Sequence, residues 1–213
     1  MTRPGLTHYR KAMAEVSSTR ALPPGSPAPD FGLPDATGQV VTLADVRGSN
    51  GLVVAFVCNH CPFVVHLARE IGKFADESRE RGIGFVAINP NDAGRYPADS
   101  PERMPEFARA SGWHFPYVVD AAQEVAQAYV AACTPDFYVF DRELRLAYCG
   151  QFDSSRPGNG RPATGECLRQ AVDAVLAGDP PLAVQRPSTG CSIKWKPGNE
   201  PGYFGNKGVR MGE

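Results

Sequence analysis

Leu52-Val-Val-Ala-Phe-Val-Cys58-Asn-His-Cys61-Pro62-Phe63 is the stretch whose reading decides the fold. Leu52 to Val57 is an unbroken apolar run rich in β-branched side chains, the pattern of a strand covered on both faces and so of a central parallel strand. Pro62 suits the first turn of a helix, because it has no N–H to leave unpaired there. Val64, Leu67, Ala68, Ile71, Phe74 and Ala75 then recur at helical spacing until Gly82 stops them. Gly84-Phe-Val-Ala-Ile88 reads as the next strand, and strand, helix, strand makes a right-handed crossover.

The C-x-x-C pair falls on the junction of that first strand and helix. A helix N-terminus carries unpaired N–H groups and about half a positive charge, which favours a thiolate over a thiol. Cys58, nearer the exposed end, is expected to attack a disulfide, and Cys61, one turn inside, to resolve the mixed disulfide that forms. Half of a zinc site is the competing reading, but four-ligand sites bring a second close pair, whereas Cys133 and Cys191 stand singly. Two small buried hydrophobes at this spacing are the other.

Outward from the crossover, Pro90 to Pro105 opens an extra segment with a short helix from Pro105 to Ser111, closed by Gly112. Phe115 to Val119 reads as a short strand and Ala122 to Val130 as a helix. Phe137 to Phe140 and Arg145 to Gly150 form an antiparallel hairpin. Thr164 is expected to cap a last helix carrying Leu168, Ala171, Val172, Val175 and Leu176, ended by Gly178. The organisation is an N-terminal extension (1–22), one α/β domain (23–180) and a C-terminal tail (181–213). Ile193, Trp195, Tyr203 and Phe204 argue that the tail packs on the domain.

Composition narrows the function. The chain has 213 residues with 22 Lys+Arg against 23 Asp+Glu, a net charge of −1. Without a basic run there is no footprint for nucleic acid or a polybasic membrane surface. The longest apolar stretch, Leu52 to Cys58, is far too short to span a bilayer. Arg3, His8, Arg10, Lys11 and Glu15 interrupt any secretory leader, so a soluble, cytoplasmic protein is expected. Six unevenly spaced cysteines are too few for a disulfide scaffold and read as thiols in a reducing compartment.

Taken in order, Ala28-Pro-Asp-Phe31, Val57-Cys-Asn-His-Cys-Pro-Phe63 and Cys133-Thr-Pro-Asp-Phe137 resemble the thioredoxin superfamily, and in detail the bacterial cytosolic thioredoxin-like proteins of the redoxin (AhpC/TSA-like) branch. Gly190 to Pro201 resembles the tail of that subgroup. The resemblance implies a thioredoxin fold: a central mixed sheet flanked by helices, with an insertion between its βαβ and ββα halves. It implies a thiol-disulfide oxidoreductase with antioxidant activity, acting on protein disulfides or small thiols and needing neither metal nor organic cofactor. It also implies that Pro135 is cis and faces the C-x-x-C, where Thr134 offers backbone groups to an extended substrate.

Two departures bear on function. Thioredoxin has Gly-Pro between its cysteines and a buried aspartate six residues before the first; here these are Asn59-His60 and Leu52. The proton acceptor for Cys61 is therefore unassigned; Asp92, in the loop after the second strand, is a candidate, but its favoured reading is a turn residue in Asn89-Pro-Asn-Asp92. A peroxidase of this branch resembles Pro-x-x-x-Thr/Ser-x-x-Cys, but counting back from Cys58 gives Ala55 and Gly51, and neither Cys61 nor Cys133 fits better. A peroxiredoxin-like activity is thus the runner-up, and a zinc-binding or interaction module the non-enzyme alternative.

Asn59 and His60 are expected to modulate the pair: a partly protonated His60 would lower the Cys58 thiol below its free value of about 8.5 and make the disulfide more oxidising. Cys133 and Cys191 are candidates for additional redox thiols, and a bridge between them would follow only if the tail folds Cys191 back to within about 7 Å of Cys133, a distance that nothing in the sequence fixes. Cys149 and Cys167 read as small core residues, and His66 and His114 lack metal spacing.

Overall fold

The computed structural model describes residues 15–204. The elements in chain order are β1 (Glu15–Ser17), β2 (Gly32–Pro34), β3 (Val40–Thr42), α1 (Leu43–Val46), β4 (Gly51–Phe56), α2 (Pro62–Glu80), β5 (Ile83–Asn89), α3 (Met104–Ser111), β6 (Tyr117–Val119), α4 (Glu124–Ala128), β7 (Cys133–Thr134), β8 (Asp136–Asp141), β9 (Leu146–Gly150), α5 (Glu166–Ala177) and β10 (Thr189–Ser192).

The main sheet runs β6-β5-β4-β8-β9. β4 pairs parallel with β5 and antiparallel with β8, so the continuous apolar run sits at the middle of a mixed sheet, with every one of its residues buried. Alternation along β4 divides the core. Val53 and Ala55 face α2 and α5 among Leu67, Ile71, Phe74, Leu168 and Val172. Leu52, Val54 and Phe56 face the other layer, built from Phe31, Leu33, Leu43, Val46, Tyr129 and Trp195. Each large side chain taken fully out of water in this way contributes about 1.5–3 kcal/mol. This is the thioredoxin fold, with the stretch from Pro90 to Val130 lying between its βαβ and ββα halves. Among the described residues no helix is long and apolar enough to cross a membrane.

The start of α5 differs from the expected arrangement. Thr164 does not cap it; the N-cap is Gly165, in the left-handed region at φ 67° and without a side chain to cap with. The first-turn amides are satisfied from the preceding loop instead: the Phe152 carbonyl accepts the Cys167 and Leu168 N–H groups at 3.1 and 3.3 Å. The buried Asp153 carboxylate holds the approach to the helix, its Oδ2 accepting the Thr164 and Gly165 N–H groups at 2.6 and 2.7 Å and its Oδ1 that of Ser155 at 2.8 Å. Asp153→Ala should cost about 2–3 kcal/mol in urea unfolding, and an unchanged midpoint would show that solvent replaces the carboxylate.

The tail is woven into the domain. β10 lies between β1 and β7 in a second, three-stranded sheet. Ile193 and Trp195 are buried beneath the main sheet. Buried Gln123 donates from Nε2 to the Pro90 and Lys194 carbonyls at 2.7 and 3.0 Å, while its Oε1 accepts the Lys196 N–H at 2.8 Å. Tyr203 packs edge-on near Trp195, whereas Phe204 is exposed.

Candidate active site

Chain direction alone brings the two cysteines to the carboxyl end of β4, where open α/β sheets hold their reactive groups. Cys58 follows Val57, whose N–H still bonds across to Ile88 O at 2.9 Å, and Cys61 is the N-cap of α2. Pro62 takes the first helical position, as its missing N–H allows. The loop after β7 closes the site from the opposite side. There the Thr134–Pro135 peptide is cis. The Thr134 carbonyl accepts from Cys61 Sγ at 3.1 Å, and its hydroxyl lies 3.5 Å from Cys58 Sγ. Both sulfurs are buried, so Cys58 does not have the exposed position expected for it.

Cys58, Cys61 and Cys191 are buried together in one core cluster, and the Cys61 thiol interacts with both of the others. That places Cys61 at the centre of three sulfurs. Burial opposes a thiolate at Cys61, but hydrogen bonds from Cys191 and Cys58 hold it below the ordinary thiol value. Cys191 moves upward, through its contact with Cys61 and through burial, with the Lys194 ammonium working against the rise.

Cys58 goes the opposite way to its expectation. Burial, the contact with Cys61 and the charge of Asp99 push its thiol well up, and the hydrogen bond with Thr134 offsets only part of this. Burial outweighs the helix terminus, and the charge of a buried carboxylate, Asp99, adds to it.

That carboxylate is the functional residue which the sequence reading missed. Asp99 ends a 3-10 turn, Pro97–Asp99, in the inserted segment and is buried. Its Oδ1 accepts the N–H groups of Asn59 and His60 at 2.8 and 3.2 Å, the amides that span the two cysteines. Its Oδ2 accepts from Asn91 Nδ2 at 2.7 Å. His60 Nδ1 also lies 2.6 Å from Oδ2, an ion-pair distance for a protonated ring, though off the direction in which its N–H points. Asn89 fixes the turn by donating to the Asp99 carbonyl at 2.8 Å. Tyr117 donates to Asn59 Oδ1 at 3.0 Å, and the His60 ring stacks on Tyr96.

Asp92 takes the turn role favoured for it from sequence, accepting the Gly94 N–H at 3.1 Å. The signal for Asp99 was faint: one acid in a proline-rich stretch, with Asn89 and Asn91 spaced to reach it only after folding.

Cys58 Sγ, a His60 ring nitrogen and an Asp99 oxygen lie within 4.8 Å of one another, a donor set that could hold a transition metal. The Asp99 oxygens are already engaged with Asn59, His60 and Asn91, so a metal would have to displace those bonds. Of the remaining candidates, Cys133 is buried and contacts the Pro135 carbonyl at 3.7 Å. Cys149 is buried and Cys167 half-buried. His66 pairs with Ser155 Oγ at 2.7 Å, and His114 with the exposed Asp76.

Comparison with known proteins matches residues 24–149 to the AhpC/TSA family. "Putative peroxiredoxin Rv2521" of Mycobacterium tuberculosis is 33% identical over 116 residues, covering 54% of this chain and 69% of that protein. "Thiol-disulfide oxidoreductase ResA" of Halalkalibacterium halodurans is 29% identical over 126 residues, 59% of this chain and 65% of that one. Among solved structures, an uncharacterized conserved protein from Geobacillus kaustophilus superposes with a TM-score of 0.83 at 53% identity, covering 87% of this chain and 98% of its own.

Proposed function

The chain belongs to the AhpC/TSA family, and from that premise we propose that it is a thiol-disulfide oxidoreductase working through Cys58 and Cys61 on protein disulfides or small thiols. The observation that carries this reading is the pair itself: two thiols in contact at a strand–helix junction, roofed by Thr134 and Pro135. In the reducing direction the Cys58 thiolate attacks a substrate disulfide, forming a Cys58–substrate bond and releasing one substrate thiolate. The Cys61 thiolate then attacks Cys58 Sγ, forming the Cys58–Cys61 bond and releasing the second. Two electrons pass from the dithiol to the substrate, and the two thiol protons end on the substrate sulfurs.

The site's hydrogen bonds suit those roles. Cys61, anchored on the Thr134 carbonyl, is positioned to resolve. Cys58, whose burial disfavours a thiolate, becomes reactive when a partner displaces that burial. Relatives bearing both oxidoreductase and peroxiredoxin names support this chemistry and keep peroxide reduction as a second reading. One local feature favours that second reading: the Thr134 hydroxyl beside Cys58 could orient a peroxide, although it comes from a different element than the expected motif. Ala55, at the motif's hydroxyl position, lies fully buried in β4.

Cys61→Ser separates the readings. With the resolving thiol gone, disulfide substrates should stay covalently bound to Cys58, visible as adducts on non-reducing gels and mapped by mass spectrometry. Peroxide consumption by the wild type with a thiol reductant should stay at the level of free cysteine. Adducts absent from Cys58, or a zinc content near one per chain after purification without chelator, would sink the proposal.

A further inference from the structure

The C-terminal strand places a cysteine against the redox pair. β10 runs antiparallel to β7, with Cys191 opposite Thr134 and Ser192 opposite Cys133. Directly opposed residues of an antiparallel pair share a face. The Thr134 face is the one that carries its hydroxyl to Cys58, so Cys191 points into the site and Cys133 points away from it. This is why a Cys133–Cys191 bridge is not favoured, and why Cys191 meets Cys61 instead.

The approach is built into the sequence. A Cβ on Gly190 would stand 2.1 Å from the Thr134 carbonyl oxygen, so a glycine is needed for the strand to lie this close. Three residues beyond Cys191, Asn91 and Gln123 hold Lys194 by its backbone. Cys191 itself is 2% exposed. β10 also covers the β7 edge that the thioredoxin resemblance assigns to an extended substrate.

We propose that Cys191 is a third redox thiol of this centre, taking over the disulfide from Cys58 by exchange at Cys61. It rests on the proposed function in that the bond it draws on is Cys58–Cys61. The Cys191 thiolate attacks Cys61 Sγ; a Cys61–Cys191 bond forms as the Cys58–Cys61 bond breaks. Cys58 leaves as a thiolate and takes up the proton that Cys191 gave up. No electrons enter or leave the protein. The oxidising equivalent is then stored beneath the tail, with β10 tied over the Thr134 edge and Cys58 free as a thiol.

Full-length Cys58→Ser tests this directly. Treated with diamide, which removes two electrons and two protons from a pair of thiols, it should gain one intramolecular disulfide per chain, mapped to Cys61–Cys191 by non-reducing peptide mass spectrometry. Cys58→Ser/Cys191→Ser should gain none. Cys58→Ser/Gly190→Ala, in which the strand is pushed off Thr134, should form the bridge at least tenfold more slowly; an equal rate would overturn the placement argument. In oxidised wild type both bridges should be present in exchange. Wild type holding Cys58–Cys61 alone, with no bridge in Cys58→Ser, would overturn the third thiol and leave the two-cysteine function standing. No Cys58–Cys61 bridge in oxidised wild type would instead count against the function itself.

Discussion

Asp99→Asn is expected to speed alkylation of Cys58 by iodoacetamide at pH 7 at least tenfold. The carboxylate lies within 4.8 Å of the sulfur, in a cluster with the His60 ring. Two unit charges about 5 Å apart at an effective dielectric of about 20 interact by roughly 3 kcal/mol, about two decades in a protonation equilibrium. The sign follows from charge: Asp99 disfavours the thiolate, so its removal brings the Cys58 thiol down and raises the thiolate fraction. Asparagine keeps an Oδ1 acceptor for the Asn59 and His60 amides while the charge is lost, and its NH2 takes the place of the oxygen that accepted from Asn91 Nδ2, so the Asn91 amide must turn away. The other groups around Cys58 are the Cys61 thiol, the Tyr117 phenol and the Thr134 hydroxyl, all unchanged by the substitution. Rates followed against pH, with alkylation mapped to Cys58, give the readout. A rate within twofold of wild type would mean that burial alone sets the resting state of this thiol.

The contrast between Asp99 and the cysteines shows what was legible in the chain. The C-x-x-C, the buried strand before it and the amphipathic helix after it are local patterns, and each survives folding: β4 and α2 start and stop within a residue or so of where periodicity and Pro62 put them. The antiparallel hairpin of β8 and β9 was readable for the same reason. Asp99 was not, because its importance comes from contacts with residues about 40 positions away in the chain. The Thr164 cap failed because the Phe152 carbonyl, from the loop before it, reaches the first-turn amides of α5 instead. Trp195 and Ile193 correctly signalled that the tail packs. The register that turns Cys191 toward Cys61 and away from Cys133 depends on a backbone pairing that no side-chain pattern announces. Even Gly190, the residue that permits this approach, reads in sequence only as one glycine among 22.

The same packing leaves an acid in an unfavourable place, and its titration should be visible in the stability of the whole domain. Asp136 follows the cis-proline at the start of β8 and is fully buried. The Tyr138 hydroxyl donates to its Oδ2 at 3.2 Å, and the Ser188 hydroxyl and Phe137 N–H also favour the carboxylate, but together they offset only part of the cost of burial. Burial pushes the carboxyl up to about 7 from 3.8. Its charge in turn adds to the burial that raises the Cys133 and Cys149 thiols and the Tyr138 phenol. A carboxyl raised in the folded state binds its proton more tightly there than in the unfolded chain. Its contribution is therefore fully present below about pH 4, falls as the pH climbs toward 7, and is flat above that. Three units of difference correspond to about 4 kcal/mol. In urea unfolding under reducing conditions, wild type should lose about that much relative to Asp136→Asn between pH 4 and pH 8. The comparison of slopes is the informative quantity, because an amide that leaves its own N–H groups unpaired would shift the variant by a constant at every pH. Parallel pH profiles for the two proteins would show that Asp136 is ionised in the folded state throughout.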